Sequence, residues 1–324
     1  MDGLFRFRRS FLLLAGACLA MGAQAQAQDW PTKPVKFFVG SAPGSGPDVI
    51  LRLVTDRLSK RLGQPVVIDN RPGAGGIPGT VAAARSPADG YNFFLGLGSA
   101  LAMNQFLYKT LPYDPEKDFV PVVSLGVTPM VIAVNPESPA KSIGELLALA
   151  KTKPNAVSVG TTSKSAAHLT IASLAQQGNV QFLHAYYKGS PDALRDTMGG
   201  QVMVFSDALA AIPNLKDPRI RVLAITSPKR LAALPDVPVV AETVPGFASY
   251  GWYAVMAPTG VPQEIVNKLN RELNAVLAEP EVQARMRELV TFEPGGTPAQ
   301  LGDFIRSERA RLKAAALAAK IEPD

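Results

Sequence analysis

The feature that most constrains the fold of this 324-residue chain is an apolar run that halts at a glycine, serine and proline loop and resumes as a helix. Within residues 35–53, VKFFVGSAPGSGPDVILRL, the run Val35, Phe37, Phe38 and Val39 reads as a strand. The loop Ser41-Ala42-Pro43-Gly44-Ser45-Gly46-Pro47 follows, and Asp48 with the spacing of Val49, Ile50, Leu53, Val54 and Leu58 opens a helix to 62, before Gly63. A turn of this kind leaves backbone N–H groups unpaired at the positive end of a helix, which suits an anion. Gly44 and Gly46 let a ligand approach the main chain, and Ser41 and Ser45 add neutral donors. Any strand-to-helix connection also favours these residue types, so repetition is what gives the pattern weight. A second such loop, Asn70-Arg71-Pro72-Gly73-Ala74-Gly75-Gly76, lies between a strand over 65–69 and a helix over 77–84.

The alternation continues, and strands separated by helices at this interval form a parallel sheet. A strand over 91–97 ends at Gly98-Ser99-Ala100, which puts three small-residue loops beyond the carboxyl ends of neighbouring strands, where such sheets collect ligands. Two apolar runs, 119–127 and 130–134, then follow with no helix between them. They carry the chain into a second lobe, with the crossing placed at 125–129. There Ser142-Ile143-Gly144-Glu145 fits a capping box, and a strand over 157–160 runs into the hydroxyl-rich Thr161-Thr162-Ser163-Lys164-Ser165. Further strands are expected over 182–185, 202–205 and 221–226, with Ser206-Asp207 heading a helix. The aromatic strand 250–256 marks the return, followed by helices over 262–277, 280–289 and 298–319. The expected lobes are 28–126 with 251–324, and 127–250.

Residues 1–27 have the form of a cleavable export signal: Arg6, Arg8 and Arg9, an apolar stretch over 11–21, then Ala23-Gln24-Ala25-Gln26-Ala27. Removing them leaves 30 basic against 26 acidic side chains and takes away the only cysteine, Cys18. An exported chain of almost 300 residues without thiols must be held by its core alone, which fits two lobes. The scattered basic excess argues against a nucleic-acid surface.

Catalytic patterns are missing. There is no Gly-x-Ser-x-Gly elbow, no thiol in the mature chain, no zinc-binding arrangement of His168 and His184, and no phosphate-loop lysine after either glycine turn. Gly73-x-Gly75-x-x-x-Gly79 misses the dinucleotide spacing by one residue. No cofactor or metal is expected. His168 either donates to a ligand or is a satisfied imidazole in the first turn of a helix over 166–176, and His184 reads as structural. Asp207 either accepts from a ligand amine or hydroxyl or is a helix N-cap. Tyr187 and Trp252 are cleft walls or core, and Lys188 reads as a solvated side chain.

Taken together, Trp30-Pro31-Thr32-Lys33-Pro34-Val35, the Pro-Gly-x-Gly-x-Asp loop ending at Asp48, Gly63-Gln64-Pro65-Val66-Val67, the 70–76 turn and Ala88-Asp89-Gly90-Tyr91 resemble the Bug receptors. These are extracytoplasmic solute receptors of the tripartite tricarboxylate transporter family. Leu111-Pro112-Tyr113-Asp114, Tyr187-Lys188-Gly189, Gly199-Gly200-Gln201 and Leu234-Pro235-Asp236-Val237-Pro238 extend the resemblance over the mature chain. It implies an α/β, two-lobed, type II Venus-flytrap binding protein with two crossover strands, holding a mono- or dicarboxylate in its cleft. By matching motif, Ala42, Gly44, Ser45 and Gly73, Ala74, Gly75 and Gly76 grip one carboxylate through backbone amides. Ser99, Thr161, Thr162, His168 and Asp207 face the rest of the ligand. Gly46-Pro47, Ile77-Pro78 and Tyr186 depart from the family pattern and leave the acid's identity open. A periplasmic monomer delivering its ligand to an integral membrane permease follows from the resemblance. The alternatives are a receptor signalling to a membrane kinase and a secreted enzyme on the same fold.

Overall fold

A computed structural model describes residues 30–318, apart from 154, 232, 233, 290 and 293. The expected export signal lies outside the described residues. Strand β1 (Val35–Val39) is buried at four of its five positions because it sits inside the sheet, parallel to β2 (Val66–Asn70) on one side and β3 (Asn92–Leu97) on the other. Next to β3, running antiparallel, is β9 (Tyr250–Pro258), and β9 in turn pairs with β4 (Phe119–Val134).

β4 corrects the sequence reading, for it is a single strand of 16 residues rather than two. Its residues 119–129 pair with β9, while 130–134 pair with β7 (Val204–Ala208) on one side and 131–134 with β8 (Arg221–Ile225) on the other. The bend that a loop would have made is absorbed by register shifts after Pro121 and Ser124, with Gly126 at φ 103°. Beyond β7 lie β5 (Ser158–Thr162) and β6 (Leu183–Tyr187), again parallel. The full order is β2-β1-β3-β9-β4-β7-β5-β6, with β8 on β4, so β4 and β9 are the strands that join two parallel halves.

Helices cover both faces. In the first half, α1 (Gly46–Leu62), α6 (Gln263–Leu277) and α7 (Pro280–Glu288) bury Ile50, Leu51, Leu269 and Val282 against Phe37, Phe93 and Val255. On the other face α2 (Ile77–Ala84) and α8 (Pro298–Ala318) pack with Phe38, Phe94, Leu101 and Met256. In the second half, α3 (Ile143–Thr152) and α4 (Ala166–Gly178) enclose Ile132, Val159 and Phe247, while α5 (Ser190–Met198) covers Val131, Phe205 and Ile225. Each large apolar side chain buried in these layers contributes roughly 1.5–3 kcal/mol. One close approach sets the geometry of the site. A Cβ on Gly79 would lie 2.6 Å from Gly40 N, so the first turn of α2 presses directly on the end of β1 and holds the two glycine loops side by side.

Candidate functional site

The loops after β1, β2 and β3 and those after β5, β6 and β7 enclose one cavity of about 540 Å³. Of the residues singled out in the sequence, Ala42, Ser45, Gly73, Gly75, Gly76, Ser99, Thr162 and Asp207 line it. Gly44, Ala74, Thr161 and His168 do not.

The first loop is held from within. Gly44, at φ 77°, donates its N–H to Asp48 Oδ2 at 2.8 Å, so its amide is turned inward rather than toward a ligand. Both the N–H and the hydroxyl of Ser45 donate to Ala42 O, at 3.2 and 2.7 Å. The first bonded amide of α1 is that of Val49, donating to Ser45 O, and Pro47 has none. Among the described residues, the amides of the helix entrance without a partner are therefore those of Gly46 and Asp48. Ser41 Oγ is buried on the cavity wall and has no hydrogen-bond partner among the described residues.

Asp48 organises this corner. Its carboxylate, 1% exposed, accepts from Gly44 N, from Arg52 Nε (2.8 Å) and Nη2 (3.1 Å), and from Asn70 Nδ2 (2.8 Å). Burial works to raise its pKa, but these hydrogen bonds outweigh burial and hold the carboxyl below its ordinary range. Asn70 Nδ2 also reaches Ser41 O at 3.0 Å, which ties the second loop to the first.

The second loop is a run of four left-handed residues: Gly73 (φ 108°), Ala74 (44°), Gly75 (63°) and Gly76 (88°). Gly76 N–H closes onto Gly73 O at 2.9 Å, and the amides of Gly73, Ala74 and Gly75 come before that first bond. The Gly75 carbonyl is drawn back by Asn104 Nδ2 (3.1 Å) and Ser99 Oγ (3.3 Å), so the Ser99 hydroxyl positions the turn from the cavity wall. Asn104, fully buried, also donates to Tyr113 Oη at 3.0 Å, and Tyr113 donates to Ala100 O; burial pushes the phenol up to about 12. Arg71 is bidentate to Asp69 and stays off the cavity, in keeping with a structural role.

In the second half, Asp207 is not a helix cap. It lies within β7 opposite Val131, and only a 3-10 turn, Leu209–Ala211, follows. Its side chain lines the cavity, and burial pushes its pKa up to about 6 against the opposing pull of the Ala208 N–H (2.6 Å) and the nearby Ser190 hydroxyl. Like Ser41 Oγ, Ser190 Oγ is buried on the wall, and among the described residues its neighbour is the Asp207 carboxyl. Tyr253 stands beside this pair, its phenol raised far above normal by burial and by the Asp207 charge. Trp252 lines the cavity while also belonging to the core, and Lys188 lines it with an exposed side chain. Tyr187 turns away and donates to Asp196 Oδ2 at 2.9 Å.

Thr161 is fully buried behind the wall. His168 is held within its own half: Nδ1 accepts the Lys164 N–H at 3.1 Å, and Nε2 lies 3.2 Å from Tyr186 Oη, with the His184 ring 5.2 Å away. This places it as the satisfied imidazole of the helix start. Burial, then His184 and Lys164, push its pKa down to about 4. Because the folded value lies below the unfolded 6.5, the stabilisation is complete above pH 6.5 and is lost as pH falls toward 4. His168→Gln is therefore expected to remove roughly 1–3 kcal/mol of acid sensitivity in that window, measured as the difference in Tm slope between the two proteins. Asp207 has a raised value and acts in the opposite direction below pH 6, so only the difference between wild type and variant isolates the imidazole.

Residues of the two halves touch around the cavity. Lys164 Nζ donates to Leu107 O at 3.2 Å and sits 3.7 Å from the Tyr108 ring centroid. A Cβ on Gly46 would come 3.2 Å from Ala208 Cβ, and one on Gly189 would collide with Ala42. Ser41 was named in the sequence as a donor, but Asn70, Asn104, Ser190 and Tyr253 were not, and only Asn70 and Ser190 carried a signal by lying in the loops.

Two parallel halves joined by two antiparallel strands, with the loops after β1, β2, β3, β5, β6 and β7 turned onto a shared cavity, define a periplasmic solute-binding protein. The Rhodopseudomonas palustris protein Rpa4515, solved with adipate, superposes with a TM-score of 0.88 at 35% identity, covering 91% of this chain and 100% of that one. MatC of the same organism, solved with malate, gives 0.83 at 27% identity over 89% and 100%. BugT of Bordetella pertussis is 35% identical over 296 residues, 90% of this chain and 91% of its own. The model of the tripartite tricarboxylate transporter family receptor matches residues 50–319, and the chain belongs to that family.

Proposed function

We propose that this protein captures a small mono- or dicarboxylate between its halves and delivers it, as a periplasmic monomer, to the integral membrane permease of a tripartite transporter. The observation that carries the reading is the cavity wall itself. Among the described residues, the amides of Gly73 and Gly75 come before the first bond of their turn and the Ser41 hydroxyl has no partner, and all three residues line the cavity, a set of neutral donors that an anion would satisfy. The adipate and malate bound by similar receptors support the ligand class. Residues 28–126 with 251–324 form one lobe and 127–250 the other, closing around the ligand by its greater affinity for the shut form. Residues 1–27 direct export and are removed. Binding and release, not chemistry, are the whole of its action.

A thermal-shift screen of purified protein against amino-acid, tricarboxylic-acid-cycle and aromatic carboxylates tests this. A true ligand at 100 times its Kd adds about 2.7 kcal/mol and raises Tm visibly. A flat response to every acid, together with a shift from a neutral sugar or a cation, would remove the carboxylate from the site.

A further inference from the structure

Lys164 reaches from the second half to the first without lining the cavity. It lies in the loop between β5 and α4, and its ammonium stands over the Tyr108 ring, 3.7 Å from the centroid, and donates to Leu107 O at 3.2 Å. Its backbone is left-handed, at φ 51°, which a residue other than glycine keeps only where its surroundings fix it. The surroundings do so here. The Lys164 N–H donates to His168 Nδ1 at 3.1 Å, and Ser165 Oγ accepts the His168 N–H at 3.2 Å while donating to Thr162 O at 2.6 Å. The loop is thereby closed onto the first turn of α4, and the lysine leaves it from a fixed point.

Both ends of this lysine meet one piece of the first half. Leu107 and Tyr108 hang on a single carbonyl, that of Asn104, to which each donates its N–H at 3.0 Å. Asn104 Nδ2 in turn donates to Gly75 O at 3.1 Å. The Lys164 carbonyl approaches the same turn, 3.1 Å from where a Cβ on Gly75 would lie. The main chain of Lys164 therefore packs on the glycine turn while its ammonium holds the segment that supports that turn.

We infer that Lys164 is a positioning residue for capture: it latches the shut form by bridging to Leu107 and Tyr108, and so slows opening without touching the ligand. This rests on the closing of the halves proposed above. A partly buried ammonium exchanges water for a carbonyl and an aromatic face, and both partners are already placed by Asn104. The bridge forms only once the halves meet, so its loss acts on opening and release rather than on first encounter. Because latch and glycine turn share Asn104, packing against the turn and latching are one event.

Double electron–electron resonance tests the latch with no ligand present. Spin labels on Lys60→Cys in α1 and Lys151→Cys in α3, both exposed positions, with Cys18→Ser removing the native thiol, tell shut from open molecules by their separation. The labelled parent is expected to populate the separation of this structure. In Lys164→Met the ratio of shut to open molecules should fall about tenfold, the worth of a hydrogen bond from a charged donor. Tyr108→Leu should lower it about threefold, and Lys164→Arg should restore most of it, since a guanidinium can both donate and stack. A melting curve separates a latch from a merely structural loop. Lys164→Gly relieves the backbone at φ 51° and should keep the Tm while losing the shut population. Identical distance distributions in the parent, Lys164→Met and Lys164→Gly, whether all shut or all open, overturn the latch and leave the carboxylate reading to the thermal-shift screen. A ratio that depends on Lys164 beside a failed screen would remove the acid and leave the latch standing.

Discussion

Gly75→Val is expected to weaken binding of any acid this protein takes by at least roughly 100-fold, the loss of two hydrogen bonds to a charged group. The residue stands at φ 63°, which a β-branched side chain adopts only under strain. A Cβ there would lie 2.9 Å from Asn104 Oδ1 and 3.1 Å from the Lys164 carbonyl. Asn104 cannot retreat, because it is fully buried and donates to both Gly75 O and Tyr113 Oη. The turn would have to move, carrying the amides of Gly73, Ala74 and Gly75 out of register, and the Lys164 side would also be held off as the halves close. Gly73→Ala makes the informative comparison, since a Cβ at Gly73 meets nothing within 4 Å and the substitution adds backbone strain alone. Titration calorimetry beside a melting curve separates the outcomes. A Gly75→Val protein that melts as a folded domain and binds with unchanged affinity would move the carboxylate site away from this turn.

What could be read in the sequence follows from how local each cause is. The glycine turns, the parallel βα rhythm and the Ser142 cap rest on residues within a few positions of one another, and the Ser142 hydroxyl does accept the Glu145 N–H at 3.1 Å. Pro47 was placed in the loop, yet α1 starts at Gly46, because a proline in the first turn lacks only an amide that would be unpaired anyway. The unbroken β4 and the strand position of Asp207 could not be read in the same way. Both are decided by pairing with partners distant in the chain, β9 for one and β4 for the other. A serine and aspartate before an apolar stretch look alike at a helix entrance and at a strand end. The supports of the site were hidden for the same reason. Asn104 meets Gly75 from 29 positions away and Lys164 meets Leu107 from 57, with no motif marking either contact.

Replacing Asp48 should damage both loops together. Asp48→Ala is expected to lower stability by about 1–3 kcal/mol, because it removes a buried charged acceptor that three donors share. Gly44 N loses its acceptor, Asn70 Nδ2 keeps only Ser41 O, and Arg52, half exposed, turns to water. Asn70, no longer held by Asp48, then ties the second loop to the first through Ser41 O alone, and that tie weakens. Asp48→Asn should not rescue it. One amide oxygen can still accept from Gly44, but the amide nitrogen faces the donors of Arg52 and Asn70, placing N–H against N–H. The pH dependence has a fixed sign: the folded pKa lies below the unfolded value of 3.8, so the contribution is present above that value and lost as pH falls through the folded one. Denaturant titration of wild type, Asp48→Ala, Asn70→Ala and the double variant measures the coupling. A double variant no less stable than Asp48→Ala alone is the expected result, because Asn70 has little left to hold once Asp48 is gone. Fully additive losses would mean that the two loops are fixed independently, and their placement would then depend on the Gly40 and Gly79 contact rather than on this side-chain network.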